Sequence, residues 1–243
     1  MTEKKDVYDA HLGHYQKVAY VKGIEEYQRI YRQSIEDPEG FWAEQAEKYL
    51  SWDKKWDQVL DYDFTEARIE WFAGGVLNAS YNCLDRHMDQ IADKIAYYWE
   101  GDNPDETQSI TYKDLYTRVN RFAAVLQNQG VKKGDRVIIY MPMIVELPVS
   151  LLACARIGAI HSVVFGGFSA DAIANRIQDC GAKVVITADG GFRGGKPVAL
   201  KTNVDKALEK CPDVEKVIVV NRTDSGIALK GGREVWWHEE EAK

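Results

Sequence analysis

The spacing of apolar residues changes at about residue 94 of the chain. From there, short apolar runs of strand length are followed by longer stretches in which apolar residues recur at helical spacing. The predicted strands are 95–99, 137–141, 160–165, 183–187 and 216–220. Such alternation predicts an α/β fold: a mostly parallel, doubly wound sheet flanked by helices.

The segments between these strands carry signals for helix starts and ends. Thr111 and Asp114 form a capping-box pattern ahead of an apolar stripe. Ser169 is a candidate N-cap for a helix over about 170–180. Further helices are predicted at about 148–157 and 203–210. Glycines placed to end three of the helices are Gly130, Gly158 and Gly181.

The first ninety or so residues show no such alternation, and we expect helices and irregular loops there. Asp37 followed by Pro38 is a favourable helix start, because Asp suits the N-cap and Pro the first helical position. We therefore predict two parts, a helical and irregular N-terminal segment over 1–92 and an α/β subdomain over 93–243.

The composition and net charge of the chain argue against some classes of binding partner. Of the 243 residues, 45% are hydrophobic and 28% are charged, which is typical of a globular protein, and the net charge is −7. This charge gives no general attraction to nucleic acid or to an anionic membrane, so we predict neither as a partner. An anionic ligand would need a local cluster of cations.

Nothing in the sequence suggests export or membrane insertion. Residues 1–20 lack the apolar core of a secretory signal, and the most apolar stretch, 143–165, is interrupted by Glu146, Pro148 and Arg156. The four cysteines form no C-x-x-C pair, and three adjoin apolar runs, so we expect free core thiols. A cytoplasmic location follows as a prediction.

Two loops stand where parallel sheets usually bind ligands, beyond the carboxyl ends of strands. In the first, 165–169, Gly166 and Gly167 precede a predicted helix. This arrangement lets a ligand approach the backbone near a helix N-terminus, although a tight turn with a serine cap explains the pattern equally simply.

The second loop, 188–197, has the spacing of a nucleotide-binding P-loop in Gly190, Gly195 and Lys196. Pro197 stands where such a loop needs Ser or Thr, so we reject this interpretation. Arg193 and Lys196 could still bind a phosphate, but a solvated surface loop is an equally good interpretation from the residues alone.

Other candidate groups are weaker. His11 and His14 are expected on a solvated helix face, His87 in a polar network or interface, and His161 as a hydrogen-bonded core residue. The acidic residues 239–241 are expected to be solvated. No catalytic triad, paired carboxylate or metal-ligand pattern is evident, so we assign no catalytic or metal-binding residue.

Several long motifs are distinctive: WFAGGVLN at 71–78, YNCLDRH at 81–87, LACARIGAIHSVVFGGFS at 152–169, TADG at 187–190, RGGK at 193–196 and WW at 236–237, the last preceded by Arg233. These motifs resemble the AMP-forming acetyl-CoA synthetase family of acyl-adenylate-forming enzymes. They occur in order over nearly the whole chain. The resemblance implies part of the large N-terminal domain of the adenylate-forming fold.

Members of this family convert acetate, ATP and CoA to acetyl-CoA, AMP and pyrophosphate through an acetyl-adenylate. The resemblance implies that the two loops form part of the CoA site. Arg193 would meet the 3′-phosphate and adenine face, and Lys196 would act as a point charge. The implied CoA-binding residues are Phe165, Gly166, Gly167, Arg193, Lys196 and Val198.

The family's Ser/Thr/Gly-rich loop that cradles the ATP phosphates does not occur in these residues. We therefore expect ligands of ATP and Mg²⁺ outside this chain, an N-terminal portion of the enzyme that is inactive alone, and possible association with the remainder of the synthetase. A stand-alone CoA-binding or interaction module and a propionyl-CoA synthetase fragment remain alternatives. Acetate-dependent ATP–pyrophosphate exchange by the pure chain would contradict the expectation of inactivity.

Overall fold

A computed structural model describes residues 17–243. The chain divides into two compact units, one up to Val76 and the other from Leu77 to Lys243. The boundary that we predicted from sequence, after residue 92, stays a prediction about domain organisation.

Over residues 19–76, the described part of the first unit contains two helices and a β-hairpin. They are α1 (Ile24–Glu36), α2 (Pro38–Tyr49), β1 (Gln58–Asp63) and β2 (Arg68–Ala73). The predicted start of α2 is confirmed, since the Asp37 carboxylate accepts a hydrogen bond from the Gly40 amide at 3.0 Å and Pro38 is the first helical residue. The antiparallel β1–β2 pairing was not predicted, because neither strand contains a fully buried residue or a clean alternation of apolar residues.

The second unit alternates strands and helices. Its helices are α3 (Ala79–Cys83), α4 (Met88–Ile91), α5 (Tyr112–Asn128), α6 (Glu146–Ile157), α7 (Ala170–Cys180), α8 (Leu200–Leu208) and α9 (Trp237–Glu241). Its strands are β3 (Ile95–Glu100), β4 (Thr107–Thr111), β5 (Arg136–Tyr140), β6 (Ile160–Val163), β7 (Val184–Ala188), β8 (Gly191–Arg193), β9 (Lys196–Val198), β10 (Lys216–Val220) and β11 (Glu234–Trp236).

Five of these strands form a parallel sheet in the order β11-β10-β7-β5-β6. The chain passes from β5 outward to β6 and then back across β5 to β7. Right-handed crossovers in opposite directions place α6 and α7 on opposite faces of the sheet. The predicted doubly wound α/β fold is therefore confirmed, and its topological switch point lies between β5 and β7.

The core of this unit is built around the three central strands. Ile138, Ile186 and Ile218 are fully buried, because helices cover both faces of the sheet. The predicted capping box is present, with Thr111 Oγ1 accepting from the Asp114 amide at 3.0 Å, and Gly158 and Gly181 end their helices in the left-handed conformation.

The strand predicted at 95–99 is present as β3, but its predicted place in the parallel sheet was wrong. It pairs with β4 in a separate antiparallel hairpin. The fifth parallel strand is instead β11, which is only three residues long and therefore leaves little periodic signal.

All four cysteines are free thiols. Cys154 and Cys211 are buried as expected, whereas Cys83 is exposed.

Two predictions about polar side chains were also wrong. His161 is exposed rather than buried, because β6 lies at the edge of the sheet. Glu240 is buried rather than solvated and accepts a hydrogen bond from Gln129 Nε2 at 2.9 Å. It is enclosed because α9 docks on α5, with the Trp237 and Phe122 rings stacked 3.5 Å apart.

Candidate functional site

An open cleft of about 500 Å³ lies at the carboxyl edge of the parallel sheet, beside the switch point. Segments that follow β5, β6 and β7 contribute to its walls, together with the loop between β3 and β4. Its lining includes Met141, Pro142, Phe165, Gly166, Gly167, Phe192, Arg193, Val198 and Arg222. The cleft therefore collects the segments that the sequence placed beyond the strand ends.

A buried tyrosine holds the loop after β6. The Tyr140 hydroxyl lies 3.0 Å from the carbonyl oxygens of both Gly166 and Phe168, and it accepts a hydrogen bond from Asn203 Nδ2 at 3.2 Å. The loop then enters α7 through Ser169, whose hydroxyl accepts from the Ala172 amide as an N-cap. The predicted cap is confirmed.

The Phe165 side chain is 65% exposed and lies over the backbone of its own loop. A Cβ atom at Gly167 would lie 2.7 Å from Phe165 Cε1, so the missing side chain leaves room for the ring. An exposed aromatic ring at the mouth of a cleft offers an apolar surface to a flat ligand.

The segment 188–197, predicted as a loop, is in part a β-hairpin. β8 pairs with β9 in antiparallel register, with Arg193 opposite Lys196. The two residues between them, Gly194 and Gly195, have φ of 58° and 73°. Positive φ at both central positions is what a type I′ hairpin turn requires, and glycine adopts it without strain.

This hairpin differs from a P-loop. In a P-loop the lysine stands at the start of the helix that follows the glycine-rich segment, whereas Lys196 lies in strand β9 and α8 begins only at Leu200. The geometry therefore agrees with our rejection of the P-loop interpretation.

The structure gathers five of the six implied CoA-binding residues in the lining of the one cleft and places the sixth, Lys196, beside them on the hairpin. Val198 is 38% exposed and so is open to an apolar contact. Within residues 17–243, no carboxylate forms an ion pair with Arg193 or Lys196. Both cations are therefore available to an anionic ligand.

A buried carboxylate organises the backbone beneath the hairpin. Asp189, the residue after β7, accepts hydrogen bonds from the amides of Gly190, Arg222 and Thr223 at 2.7, 2.8 and 3.0 Å, and from the hydroxyls of Thr223 and Ser225 at 2.6 and 2.8 Å. Burial by itself would raise the pKa of Asp189, but these donors outweigh it and lower the pKa to about 2. Asp189 is therefore an ionised structural group.

A stacked arginine forms another part of the wall. The Arg222 guanidinium lies 5.2 Å from the centre of the Trp99 ring and 5.3 Å from that of Phe192, and it donates to both carboxylate oxygens of Glu106 at 2.9 and 2.5 Å. The hydrogen bond from Arg222 lowers the pKa of Glu106. This pairing neutralises Arg222, in contrast to Arg193.

The β3–β4 loop also reaches the tip of the hairpin. The Asp102 carboxylate accepts hydrogen bonds from the amides of Gly194 and Gly195 at 2.8 and 2.6 Å. Our reading of the sequence missed Asp102, Glu106 and Arg222. The cluster of Gly, Asp, Asn and Pro at 101–105 indicates a turn, but nothing local identifies a partner 92 positions away.

The remaining candidates do not join the cleft. His87 is half-buried, with its ring 6.3 Å from that of Tyr112, and His11 and His14 lie outside the described residues. In residues 17–243 no group of three or more His, Cys, Asp and Glu side chains could hold a metal ion. The same part of the chain has no helix long and apolar enough to cross a bilayer.

Comparison with known families agrees with this architecture. A family model described as AMP-binding enzyme matches residues 84–242, and one described as acetyl-coenzyme A synthetase N-terminus matches residues 27–83. The chain belongs to the AMP-binding enzyme family. The family resemblance inferred from the motifs is confirmed.

Among individual proteins, the chain is similar to acetyl-coenzyme A synthetases. The chain is 58% identical over 213 residues to acetyl-coenzyme A synthetase of Alkalilimnicola ehrlichii, covering 88% of this chain and 33% of the relative. It is 54% identical over 231 residues to acetyl-coenzyme A synthetase of Halorhodospira halophila, covering 95% and 34%. The chain thus spans about a third of the length of these relatives.

A solved structure shows the same fold. Acetoacetyl-CoA synthetase from Streptomyces lividans aligns with a TM-score of 0.79 and 27% sequence identity, over 87% of this chain and 32% of that protein.

Proposed function

We propose that the cleft binds the nucleotide end of coenzyme A, and that the chain serves the AMP-forming synthesis of acetyl-CoA from acetate, ATP and CoA. The observation that carries the proposal is the Arg193 guanidinium at the cleft, which has no ion-pair partner within residues 17–243 and lies on a hairpin opposite a second cation, Lys196. The 3′-phosphate of CoA is a dianion that such a pair suits.

The part of the cleft formed by the loop after β6 is apolar rather than cationic. Phe165 presents an exposed ring, and Gly166 presents backbone without a side chain. A purine could contact the ring and approach the backbone there, while the phosphate meets Arg193. Arg193 would bind the phosphate in a bidentate manner, and Lys196 would add charge without fixed geometry.

The proposal assigns no residue of this chain to ATP, Mg²⁺ or the chemical step. Its partners are small molecules. Similarity to acetyl-coenzyme A synthetases favours acetate as the acyl substrate, and the proposed location is the cytoplasm.

Equilibrium binding of CoA and of 3′-dephospho-CoA to the chain tests the site. We expect CoA to bind more tightly by roughly 10- to 100-fold, the range given by one charge-assisted hydrogen-bond pair. Arg193→Ala should remove this preference while leaving the affinity for 3′-dephospho-CoA nearly unchanged. Lys196→Ala should reduce the preference only in part.

Arg121→Ala is a matched control, because Arg121 is an exposed arginine on α5 that does not line the cleft. It makes the same change in net charge and should leave the preference intact. Equal binding of the two ligands by the wild-type chain, or equal loss of preference in both arginine variants, would reject Arg193 as the phosphate-binding group.

A further inference from the structure

The hairpin that carries Arg193 has little to hold it in place. β8 and β9 are three residues each and pair only with one another among the described strands. All three residues of β9, and two of the three in β8, are exposed. A two-stranded ribbon of this length is not stable by itself, so its position must be set by contacts from elsewhere.

Beyond the buried first residue of β8, two contacts from outside the hairpin hold it, and both involve the β3–β4 loop. Near the middle of the hairpin, Phe192 packs against the Arg222 guanidinium, which Glu106 of that loop holds by two hydrogen bonds. At the tip, Asp102 of the same loop binds the amides of Gly194 and Gly195. The loop is itself closed by a hydrogen bond from the Gly101 amide to the Glu106 carbonyl at 2.8 Å.

The tip contact is the more specific of the two. One carboxylate oxygen accepts from Gly194 and the other from Gly195, so both amides of the turn are used. Arg193 and Lys196 directly flank these glycines. Rotation of the turn would therefore move both cations, and two charge-assisted hydrogen bonds oppose that rotation.

Asp102 achieves this without forming an ion pair with Arg193 or Lys196 in the described part of the chain. The carboxylate also occupies the backbone amides that a glycine-rich turn would otherwise offer to an anion. An incoming phosphate is left with the two side chains rather than the backbone.

We infer that Asp102 is a positioning residue of the cleft: by binding both tip amides of the β8–β9 turn it fixes Arg193 and Lys196 toward an anionic ligand. This role rests on the proposed function, since it requires that Arg193 meets the phosphate of CoA. The geometry of the clamp itself does not depend on that function.

Asp102→Ala in the full chain tests both parts with separate readouts. Hydrogen exchange of the Gly194 and Gly195 amides reports the clamp, and we expect it to accelerate roughly tenfold, corresponding to one lost hydrogen bond. The ratio of CoA to 3′-dephospho-CoA affinity reports the positioning. We expect the ratio to fall toward one, with the affinity for 3′-dephospho-CoA changed by less than about twofold.

Two further variants calibrate the result. Asp102→Asn keeps one acceptor oxygen and should give an intermediate exchange rate and ratio. Asp105→Ala removes the same charge three positions away, from an exposed side chain with no hydrogen bond or ion pair to the hairpin within residues 17–243, and should change neither readout. Far-UV circular dichroism checks that each variant is folded.

The outcomes separate the two hypotheses. Unchanged tip exchange in Asp102→Ala would overturn the clamp, and faster exchange with an unchanged affinity ratio would overturn the positioning role. A ratio that rises would mean that the negative charge of Asp102 beside the cleft opposes the phosphate more than its hydrogen bonds to the turn help, which also contradicts the inference. Equal binding of the two ligands by the wild-type chain would instead reject the proposed function and reduce Asp102 to a structural clamp.

Discussion

β7 and the β8–β9 hairpin are neighbours in the chain, yet they are held by different forces. All five residues of β7 are buried, and the strand pairs with β5 on one side and β10 on the other. The hairpin begins three residues after β7 ends, is mostly exposed, and depends on Asp102 and on the Arg222 stack. One is held by apolar burial and the other by directional polar contacts.

The difference follows from what each region must do. Burial is strong but has no direction, so it suits a strand whose only task is to form the sheet. A hairpin that carries a free arginine cannot be buried, because an unpaired buried charge is costly. Hydrogen bonds to its turn can fix its orientation while its cations stay in water.

The largest effect is expected from Ile186→Ala in β7. Ile186 is fully buried in the central strand, so the change removes apolar contacts and leaves a cavity. We expect the free energy of unfolding to fall by about 4 kcal/mol. Urea unfolding monitored by circular dichroism measures this loss.

Ile160→Ala is the matched control, because Ile160 belongs to the same sheet but is 55% exposed in the edge strand β6. The free energy of unfolding of this variant should fall by less than about 1 kcal/mol. Equal losses in the two variants would show that burial does not distinguish the central strand from the edge.

The second-largest loss of stability is expected from Asp189→Asn, at the buried carboxylate beneath the hairpin. Asn keeps one acceptor oxygen but replaces the other with a donor, so the Thr223 and Ser225 hydroxyls that donate to Asp189 Oδ2 lose their acceptor. We expect a loss of about 3 kcal/mol in the free energy of unfolding at pH 7. Asp224→Asn, an exposed neighbour in the same segment, should cost less than about 0.5 kcal/mol.

The same variant predicts a pH dependence. Because the pKa of Asp189 falls from 3.8 to about 2 on folding, its ionised form stabilises the folded chain above pH 4, and this contribution disappears as the pH drops toward 2. The stability difference between wild type and Asp189→Asn should therefore shrink over that interval. A difference that stays constant from pH 5 to pH 2 would contradict an ionised Asp189.

The contrast also explains how much could be predicted from the sequence. The strand at 216–220 was placed at its observed bounds, and 137–141 and 183–187 to within one residue, because buried parallel strands are short continuous apolar runs. Helix ends at Gly158 and Gly181 were predicted because each cap is a local signal.

The site was only partly predictable, for a physical reason. The two loops and Arg193 could be located, since the strand ends determine where ligands bind and glycines mark close approach. The contacts of Asp102 and Glu106 join residues about a hundred positions apart, and a single carboxylate in a loop carries no sign of its partner. The position of β6 at the edge of the sheet likewise could not be predicted, because the spacing of apolar residues does not determine the order of the strands.

A smaller effect is expected from Arg222→Lys. Lysine keeps the charge but loses the planar group that stacks between Trp99 and Phe192 and donates twice to Glu106. We expect a loss of roughly 1 kcal/mol in unfolding free energy, together with faster hydrogen exchange in β8. Arg68→Lys, at an exposed pair with Asp61, should be nearly neutral, and a loss equal to that of Arg222→Lys would argue against the stack.

The smallest effect on global stability is expected from Gly194→Ala at the hairpin tip. The residue has φ of 58°, where a Cβ atom costs about 1 kcal/mol, although no neighbouring atom would clash with it. The hairpin can relieve this strain by opening locally, so the free energy of unfolding should change by less than about 0.5 kcal/mol while exchange at Gly195 accelerates. Gly194→Asn, which tolerates this conformation better, should show a weaker acceleration. A loss of global stability as large as that of Ile186→Ala would place the hairpin in the same cooperative unit as the sheet and would remove the distinction between the two regions.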